Sequence, residues 1–392
     1  MTKINLIPRN NWDYDVVDLV KTVSDTFSSD DAAPNIKKYF NAVPVFTGSG
    51  RASLYALLKS LDLPPQAKVA VPLFCCTVVF DAIIRAGLMP KFVDSDFHDC
   101  NLSPRDLERK RRTCSAVVAV HMFGNPCDMD GVDAVANGIP VIEDCAQSMY
   151  SMYKGRKTGT LSAASFFSFR CGKYISAGEG SAIFCRDDDF RKRVEHQVGS
   201  FEERTLPQNI ARSFTTLAKA ALYRRPLYGT IGYPLGSRLD KKFNLTAKDG
   251  FSTFKIAPGE RALADKRVAA FGEKIERQRM NAQRLLSKIN VNNLSLPTEN
   301  RHCTSNWHQF ALRFASRQKR DAMADFLFAN GIDSARYLDT VVEEARQRFG
   351  YAMGSCPNTE VLSKTVLLVP IHYYLRGRDI DRIARMINQF KG

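Results

Sequence analysis

The sequence predicts an α/β protein with a large domain on a mostly parallel sheet and a smaller α+β domain after it. Its 392 residues exceed the roughly 150 residues of one domain. Helix and strand patterns alternate between residues 50 and 184, which is typical of a parallel sheet. Runs such as 116–120 (AVVAV) are apolar on both faces, as in strands covered by helices on both sides. We expect the large domain to span 1–250 and the small domain 251–392.

Each element of the large domain has a local signal. A glycine-rich turn precedes a helix whose leucines Leu54, Leu57, Leu58 and Leu61 share one face. Ser103 and Pro104 are typical of a helix start, and Gly87 and Gly138 of helix ends. The apolar runs predict strands at 68–74, 92–93, 116–120 and 140–143.

The second half of the chain is less regular at first. Turn-forming residues interrupt the stretch 223–237 (YRRPLYGTIGYPLGS), so we expect 200–250 to be an irregular insertion with several turns. A long helical pattern follows at 263–286. Strand-like segments at 307–314 and 365–371 frame the small domain.

Composition excludes several classes of protein. The longest uncharged run, 113–127, is shorter than the about 20 residues of a membrane-spanning helix. The N-terminus shows no secretory signal, so we expect a cytoplasmic protein. Ten cysteines without a CxxC pair predict neither a zinc site nor a disulfide framework, and we expect no metal.

The net charge of +15 is concentrated in one stretch. Residues 204–255 hold ten lysines and arginines but only two acids, Asp240 and Asp249. A basic surface attracts polyanions, whether nucleic acid, anionic lipid or a diphosphate-bearing substrate. Charge alone does not choose among them.

Two local motifs are typical of sites for a phosphate-bearing cofactor. Gly48 to Ala52 (GSGRA) open a helix, where backbone amides and the helix dipole favour an anion; a simple tight turn is the alternative. Asp144 follows an apolar strand at the sheet edge where parallel α/β proteins bind ligands. Its carboxylate is suited to pair with a protonated ring nitrogen, or to cap a helix.

A lysine follows the next aromatic strand. Lys173 stands in a turn after residues 166–169 (FFSF), and a lysine held among apolar groups forms Schiff bases. A solvated surface lysine is the alternative reading of this motif. The simplest interpretation of the turn 178–181 (GEGS) is a connection between two strands.

In order and spacing, these motifs resemble the DegT/DnrJ/StrS aminotransferases, pyridoxal-phosphate enzymes that aminate nucleotide-linked keto sugars. The matching runs are SGRASLYALLKSL, KVAVPLF, FVDSDFHDCNLSP, AVHMFGNPCDMDGV, VIEDCAQSMYSMYKGRKTGTL and SFFSFRCGKYISAGEGSAIF. Weaker similarity continues through ERQRMNAQRLL, CPNTEVLSK and LLVPIHYYL. The resemblance implies fold type I, with a mostly parallel seven-stranded sheet and a homodimer whose active sites lie at the interface.

The resemblance also implies roles for single residues. Lys173 matches the lysine that bonds to the cofactor and then shuttles the proton, and Asp144 matches the carboxylate that keeps the pyridine nitrogen protonated. Gln147 matches the contact to the ring hydroxyl, and Ser168 part of the phosphate site. The same site includes the turn Gly50, Arg51 and Ala52. Because the dehydratases of the family carry histidine in place of the lysine, Lys173 indicates transamination.

Several positions depart from the family pattern. Arg51 replaces a small hydroxyl residue, and Cys76 occupies the position of an aromatic ring that stacks on the cofactor. Residues 171–172 (CG) replace Pro-Thr, and Tyr174 replaces asparagine. The Asn-x-Arg element that a partner subunit donates to the phosphate is not recognisable, and we expect Lys255 to substitute for it.

The sequence therefore predicts an aminotransferase that passes an amino group from an amino acid, glutamate by resemblance, to a keto sugar. The basic stretch 204–255 would suit a nucleotide diphosphate and no nucleic-acid partner is expected. Two alternatives remain. One is an aminotransferase for a lipid-linked or non-nucleotide carbonyl. The other is a non-catalytic protein of the same fold whose stretch 204–255 engages nucleic acid or an anionic membrane surface, the interleaved aromatic residues and leucines suiting the membrane better. His121 is suited to substrate contact or to a structural role, and His372, Tyr373 and Tyr374 are candidates for the substrate cleft.

Overall fold

The computed structural model describes residues 4–27, 32–237, 252–291 and 294–391. The predicted domain boundary at 250 lies outside these residues, so the division into 1–250 and 251–392 stays a prediction. Four of the ten cations of the basic stretch, Arg238, Lys241, Lys242 and Lys248, also lie outside them. Within the described residues, no helix has both the length and the apolar character needed to cross a bilayer.

A seven-stranded sheet forms the large core, as the sequence predicts. Its order is β1-β9-β8-β5-β4-β2-β3, and β9 runs antiparallel to both of its neighbours while the other pairs are parallel. The strands of this half of the chain are β1 Val45–Thr47, β2 Lys68–Pro72, β3 Met89–Val93, β4 Cys114–Val120, β5 Val141–Asp144, β6 Met152–Tyr153, β7 Arg156–Lys157, β8 Ala164–Ser168 and β9 Ser181–Cys185. Strands β6 and β7 belong to a separate small sheet.

Helices cover this sheet and begin at polar caps. The Ser49 hydroxyl accepts the Ala52 N–H at 3.2 Å, and the Ser103 hydroxyl accepts the Asp106 N–H at 3.4 Å. The helices are α1 Val16–Asp25, α2 Pro34–Phe40, α3 Gly50–Ser60, α4 Thr77–Arg85, α5 Pro104–Lys110, α6 Met129–Ala136, α7 Asp188–Gly199 and α8 Leu206–Leu222. The predicted helix starts at Gly50 and Pro104 are confirmed.

The expected irregular insertion at 200–250 is wrong in its first half. Helix α8 runs for 17 residues there, behind a capping box formed by Thr205 and Gln208. Pro207 stands in the first turn, where proline removes no helical hydrogen bond. The regular α-helical pattern changes only after α8, where Tyr228–Gly232 form a short π-helix.

The second core surrounds a four-stranded antiparallel sheet of order β10-β12-β14-β13. The long helical pattern at 263–286 is two helices that meet at the buried Phe271. The remaining elements are α9 Pro258–Ala270, α10 Gly272–Lys288, β10 Leu294–Ser295, β11 Cys303–Thr304, β12 Phe310–Phe314, α11 Arg317–Ala329, β13 Ala335–Arg336, α12 Val341–Arg348, α13 Pro357–Thr365, β14 Val366–Val369 and α14 Gly377–Gln389. Burying one isoleucine of α14, such as Ile383, contributes about 1.5–3 kcal/mol.

An N-terminal strap, residues 7–14, joins the two cores. At one end, the Ile7 N–H donates to the Gly331 carbonyl at 2.9 Å and the Ile7 carbonyl accepts the Asp333 N–H at 3.0 Å. At the other end, the buried Asp13 carboxylate accepts the Tyr373 hydroxyl at 2.9 Å. The strap therefore crosses the gap between the cores.

Candidate active site

Lys173 lies in a tight loop after β8, where the sequence predicts the central lysine. Its N–H donates to the Arg170 carbonyl at 3.0 Å, and Gly172 before it has a φ of +89°. Burial lowers the pKa of the Lys173 amine; the charges of Asp144 and Cys76 oppose this shift, and Arg170 adds to it. A larger share of neutral amine follows, which is the nucleophilic form of lysine.

Asp144 ends the central strand β5 and is buried. Burial raises its pKa, while the Ala146 N–H, at 2.9 Å, and the charge of Lys173 lower it. A cation placed against such a carboxylate stabilises its charged form strongly, because its buried surroundings solvate the charge poorly. The arrangement suits a protonated ring nitrogen.

Gln147 bridges the two cores through its side-chain amide. Its oxygen accepts the Phe123 N–H at 3.1 Å, and its nitrogen donates to the Tyr337 hydroxyl at 3.2 Å. The sequence predicts Gln147 beside the cofactor ring, and the structure places it next to Tyr337, a cavity residue that the sequence did not suggest.

The predicted phosphate site is assembled from two distant segments. A methyl group on Gly50 would stand 3.6 Å from the Ser168 Cβ and 3.4 Å from the Phe166 ring, so the start of α3 faces the end of β8. The Gly180 N–H donates to the Gly48 carbonyl at 3.1 Å, which ties the turn 178–181 to the same place. A hydroxyl and helix N-terminal amides together suit a phosphate.

Two residues that depart from the family pattern, Arg51 and Cys76, and the proposed substitute Lys255 lie at different positions around the site. Arg51 lies within electrostatic reach of Asp81 on α4, so its charge is shared with that carboxylate. Cys76 is exposed at the start of α4 and lies within electrostatic reach of Lys173. The Lys255 ammonium pairs with the Glu203 carboxylate at 2.8 Å. Its backbone segment touches the phosphate turn, because the Phe254 carbonyl accepts the Gly48 N–H at 2.6 Å.

His121 has a structural role in this arrangement. Its Nδ1 accepts the Cys127 N–H at 3.0 Å, so Nε2 carries the proton toward Glu143, also at 3.0 Å. Glu143 accepts three backbone N–H groups besides, from Gly159, Leu161 and Ser162. His121, Glu143 and Cys145 lie close enough for a metal, but their ligand atoms are already engaged in this network.

A cavity of about 190 Å³ opens beside Lys173. His372 and Tyr373 line it, as the sequence suggests, whereas Tyr374 donates to Asp13 at 2.7 Å and is not among the lining residues. Sequence reasoning did not find the other polar lining residues Arg9, Asn10, Asn11, Gln278, His308 and Gln309. Burial and the nearby Lys173 charge lower the pKa of His308 to about 3, so its ring is neutral.

Four of the six described cations of the basic stretch, Arg204, Arg212, Arg225 and Lys255, face carboxylates of the same chain, contrary to the expected open basic surface. Arg225 makes two bonds to Asp379, at 3.0 and 2.9 Å. Arg204 donates to Glu179 at 3.3 Å, and Arg212 pairs with the same carboxylate. Much of the stretch's charge is thus neutralised within the fold.

The donors present fit pyridoxal 5'-phosphate. One edge of the large sheet carries an amine of lowered pKa, a buried carboxylate, and the N-terminus of α3, where a methyl group on Gly50 would touch the Ser168 Cβ. Fold and site together define a pyridoxal-phosphate-dependent enzyme of fold type I.

Comparison with known proteins identifies the family. A sequence model of the DegT/DnrJ/EryC1/StrS aminotransferase family matches residues 35–214 and 238–388. The chain belongs to this family, and it is a pyridoxal-phosphate-dependent aminotransferase.

Relatives cover nearly the whole chain. UDP-N-acetyl-3-dehydro-alpha-D-glucosamine 3-aminotransferase of Acidithiobacillus ferrooxidans is 28% identical over 346 residues, covering 87% of this chain and 82% of that protein. The spore coat polysaccharide biosynthesis protein SpsC of Bacillus subtilis is 25% identical, covering 94% and 93%. The crystal structure of the sugar aminotransferase CalS13 of Micromonospora echinospora has the same fold, with a TM-score of 0.76, 18% identity and coverage of 98% and 99%.

Proposed function

We propose that this aminotransferase moves an amino group from glutamate to a keto sugar carried on a nucleotide. The observation that carries the proposal is the meeting of Lys173, Asp144, Ser168 and the start of α3 at one sheet edge, beside a polar cavity. The A. ferrooxidans relative, which by its name acts on a UDP-linked sugar, supports the acceptor class.

In this proposal, each residue has a defined task. Asp144 holds the positive charge of the ring nitrogen, and Ser168 and the amides at the start of α3 hold the phosphate. The bound cofactor supplies an electron sink. Lys173 Nζ takes the proton from the donor carbon and returns it to the acceptor, a task for which its lowered pKa is suited.

The proposal includes a cytoplasmic homodimer. The turn Gly50, Arg51 and Ala52 contains one cation, Arg51, and Lys255 is paired with Glu203. We assign Lys255 to the cofactor phosphate, which it would bind after breaking its pair with Glu203. We assign Gln147 to the ring hydroxyl of the cofactor and Cys76 to the face of its ring.

The test separates the two halves of the reaction. The protein is loaded with pyridoxal phosphate, and its visible absorbance is recorded before and after excess glutamate, with Lys173→Ala as control. Reduction with borohydride followed by peptide mass spectrometry should place the cofactor on Lys173. UDP-, GDP- and dTDP-linked keto sugars are then added to the aminated enzyme.

We expect glutamate to bleach the visible band of the wild type and one class of keto sugar to restore it. A cofactor that is not attached to Lys173 would refute the catalytic assignment. Bleaching by other amino acids but not by glutamate would refute the donor alone, and restoration by no keto sugar would refute the acceptor.

A further inference from the structure

Four buried polar atoms without a hydrogen-bond partner among the described residues line the cavity beside Lys173. They are Asn11 Nδ2, Gln278 Oε1, Gln309 Oε1 and His372 Nδ1. We call these four residues the polar wall. Buried polar groups in folded proteins are nearly always paired, so four unpaired atoms around one cavity indicate a ligand that pairs them.

The fixed bonds of two wall residues determine what their free atoms can do. The amide nitrogen of Gln278 donates to the Trp307 carbonyl at 2.5 Å, which leaves its oxygen as a free acceptor. His372 Nε2 lies 3.2 Å from the Pro8 carbonyl, which can only accept, so Nε2 carries the proton and Nδ1 accepts. Burial lowers the pKa of His372 to about 4, so the ring is neutral near pH 7.

The other two wall residues come from elements that hold them rigidly. Gln309 precedes β12, and its N–H donates to the Phe123 carbonyl at 3.3 Å. Asn11 belongs to the N-terminal strap, between Ile7 and Asp13, which are both anchored. The wall thus offers two acceptors at fixed positions, on Gln278 and His372, and two side-chain amides, on Gln309 and Asn11, that can each donate and accept.

We infer that the polar wall binds the hydroxyl groups of the sugar acceptor. This inference rests on the proposed function. A hydroxyl can donate to the fixed acceptors of Gln278 and His372 and accept from a wall amide, whereas the carboxylate of the amino-acid donor only accepts and finds no partner in those two acceptors. Arg9, a cation at the same cavity, pairs with Asp333 at 3.5 Å.

The wall also selects among sugars. A deoxy sugar that lacks a hydroxyl at the wall leaves a buried acceptor unpaired, and sites built to pair a hydroxyl reject such analogues strongly. We therefore expect a preference for acceptors that keep their hydroxyls over deoxygenated ones.

The test uses variants that replace a side-chain amide by an apolar group of similar size. Gln309→Met and Asn11→Leu are suited because neither side chain makes another bond that the structure shows. Gln283→Met, on the exposed face of the helix that carries Gln278, is the matched control. For each cofactor-loaded protein, calorimetry compares UDP-glucose, GDP-mannose and dTDP-glucose with the corresponding free nucleoside diphosphate.

We expect the added affinity from the sugar to fall about tenfold in Gln309→Met and Asn11→Leu, and not in Gln283→Met. Bleaching of the cofactor by glutamate is measured on the same proteins and should stay at the wild-type rate in Gln283→Met. Sugar-dependent affinity within twofold of wild type in both wall variants would overturn the inference alone. Slower bleaching with unchanged sugar affinity would assign the wall to the amino-acid donor and overturn it. No sugar-dependent affinity in the wild type would overturn the acceptor class of the proposed function.

Discussion

Replacing Glu143 by glutamine tests how the large sheet holds Asp144, the next residue, in place. The buried Glu143 carboxylate accepts His121 Nε2–H at 3.0 Å and Gly159 N–H at 2.7 Å on one oxygen. The other oxygen accepts the N–H groups of Leu161 and Ser162 at 2.8 and 2.9 Å. A glutamine of equal size must point its NH₂ group at one of these two pairs of donors.

The cost follows from the bonds that are lost. Turning the NH₂ group toward His121 and Gly159 sacrifices two bonds to a charged acceptor, each worth about 1.5–3 kcal/mol. The free energy of unfolding should therefore fall by about 3–6 kcal/mol, a large share of the 5–15 kcal/mol typical of a domain. His121 does not relieve the clash, because its Nδ1 must accept the Cys127 N–H at 3.0 Å.

Urea unfolding of the two proteins, followed by intrinsic fluorescence, measures this difference. Ser162→Ala is the control, because it removes a hydroxyl bond to Glu143 at 3.2 Å and keeps the backbone donor. It removes one bond to the charged acceptor instead of two, so it should cost about half as much, about 1.5–3 kcal/mol. A Glu143→Gln protein within 1 kcal/mol of wild type would refute the bond-by-bond reasoning.

Three further predictions concern other parts of the chain. A methyl group on Gly124 would lie 1.8 Å from an amide oxygen at a φ of +85°, whereas Gly138, at a φ of +87°, has open space. In thermal unfolding, Gly124→Ala should therefore be at least 2 kcal/mol less stable than Gly138→Ala; equal loss would contradict the packing. Burial opposes ionisation of Asp13, but nearby cations outweigh it and lower its pKa. The stability that ionised Asp13 contributes is present above about pH 3.9 and is lost as the pH falls further. In acid titration, the free energy of unfolding should therefore fall less steeply with pH in Asp13→Asn than in the wild type; identical slopes would contradict the lowered pKa. Cys76 is exposed, while burial raises the pKa of Cys75 well above its usual value. Mass spectrometry should find that iodoacetamide alkylates Cys76 before Cys75, and that Cys76 is alkylated more slowly once the cofactor is bound. Equal labelling of the two thiols would contradict this placement.

Local signals predicted most of the large sheet and its helices. The start of α3 at Gly50 and of α5 at Pro104 is encoded by neighbouring residues, and the structure confirms both. Helix α8 was missed because the irregularity indicated by the breakers in 223–237 was extended back over residues 206–222, although Pro207, in the first turn, is compatible with a helix. The break at Phe271 is fixed by burial against distant residues, which a helical period does not reveal.

The candidate site was predictable where it consists of strand ends. Asp144 and Lys173 each follow an apolar strand, and parallel strands bring their carboxyl ends to one edge. The polar wall could not be predicted in the same way. Asn11, Gln278 and Gln309 come from three separate segments, and their significance lies in unpaired atoms rather than in a pattern.

The expectation of an open basic surface in 204–255 was wrong because it, too, depended on contacts between separate segments of the chain. The excess of cations in 204–255 is real in the sequence, yet Arg204, Arg212 and Arg225 find acids far away along the chain. Glu179 and Asp379, which neutralise them, lie outside the window in which the charges were counted.

The N-terminal strap has a consequence for synthesis of the protein. Ile7 pairs with Ile332, 325 residues later (332 − 7), and Asp13 binds Tyr373. At about 5–20 residues per second, a ribosome needs roughly 16–65 s to make that intervening chain. The strap therefore waits that long for its partners, and the cavity that Asn11 lines forms only after the chain around Ile332 and Tyr373 has been made.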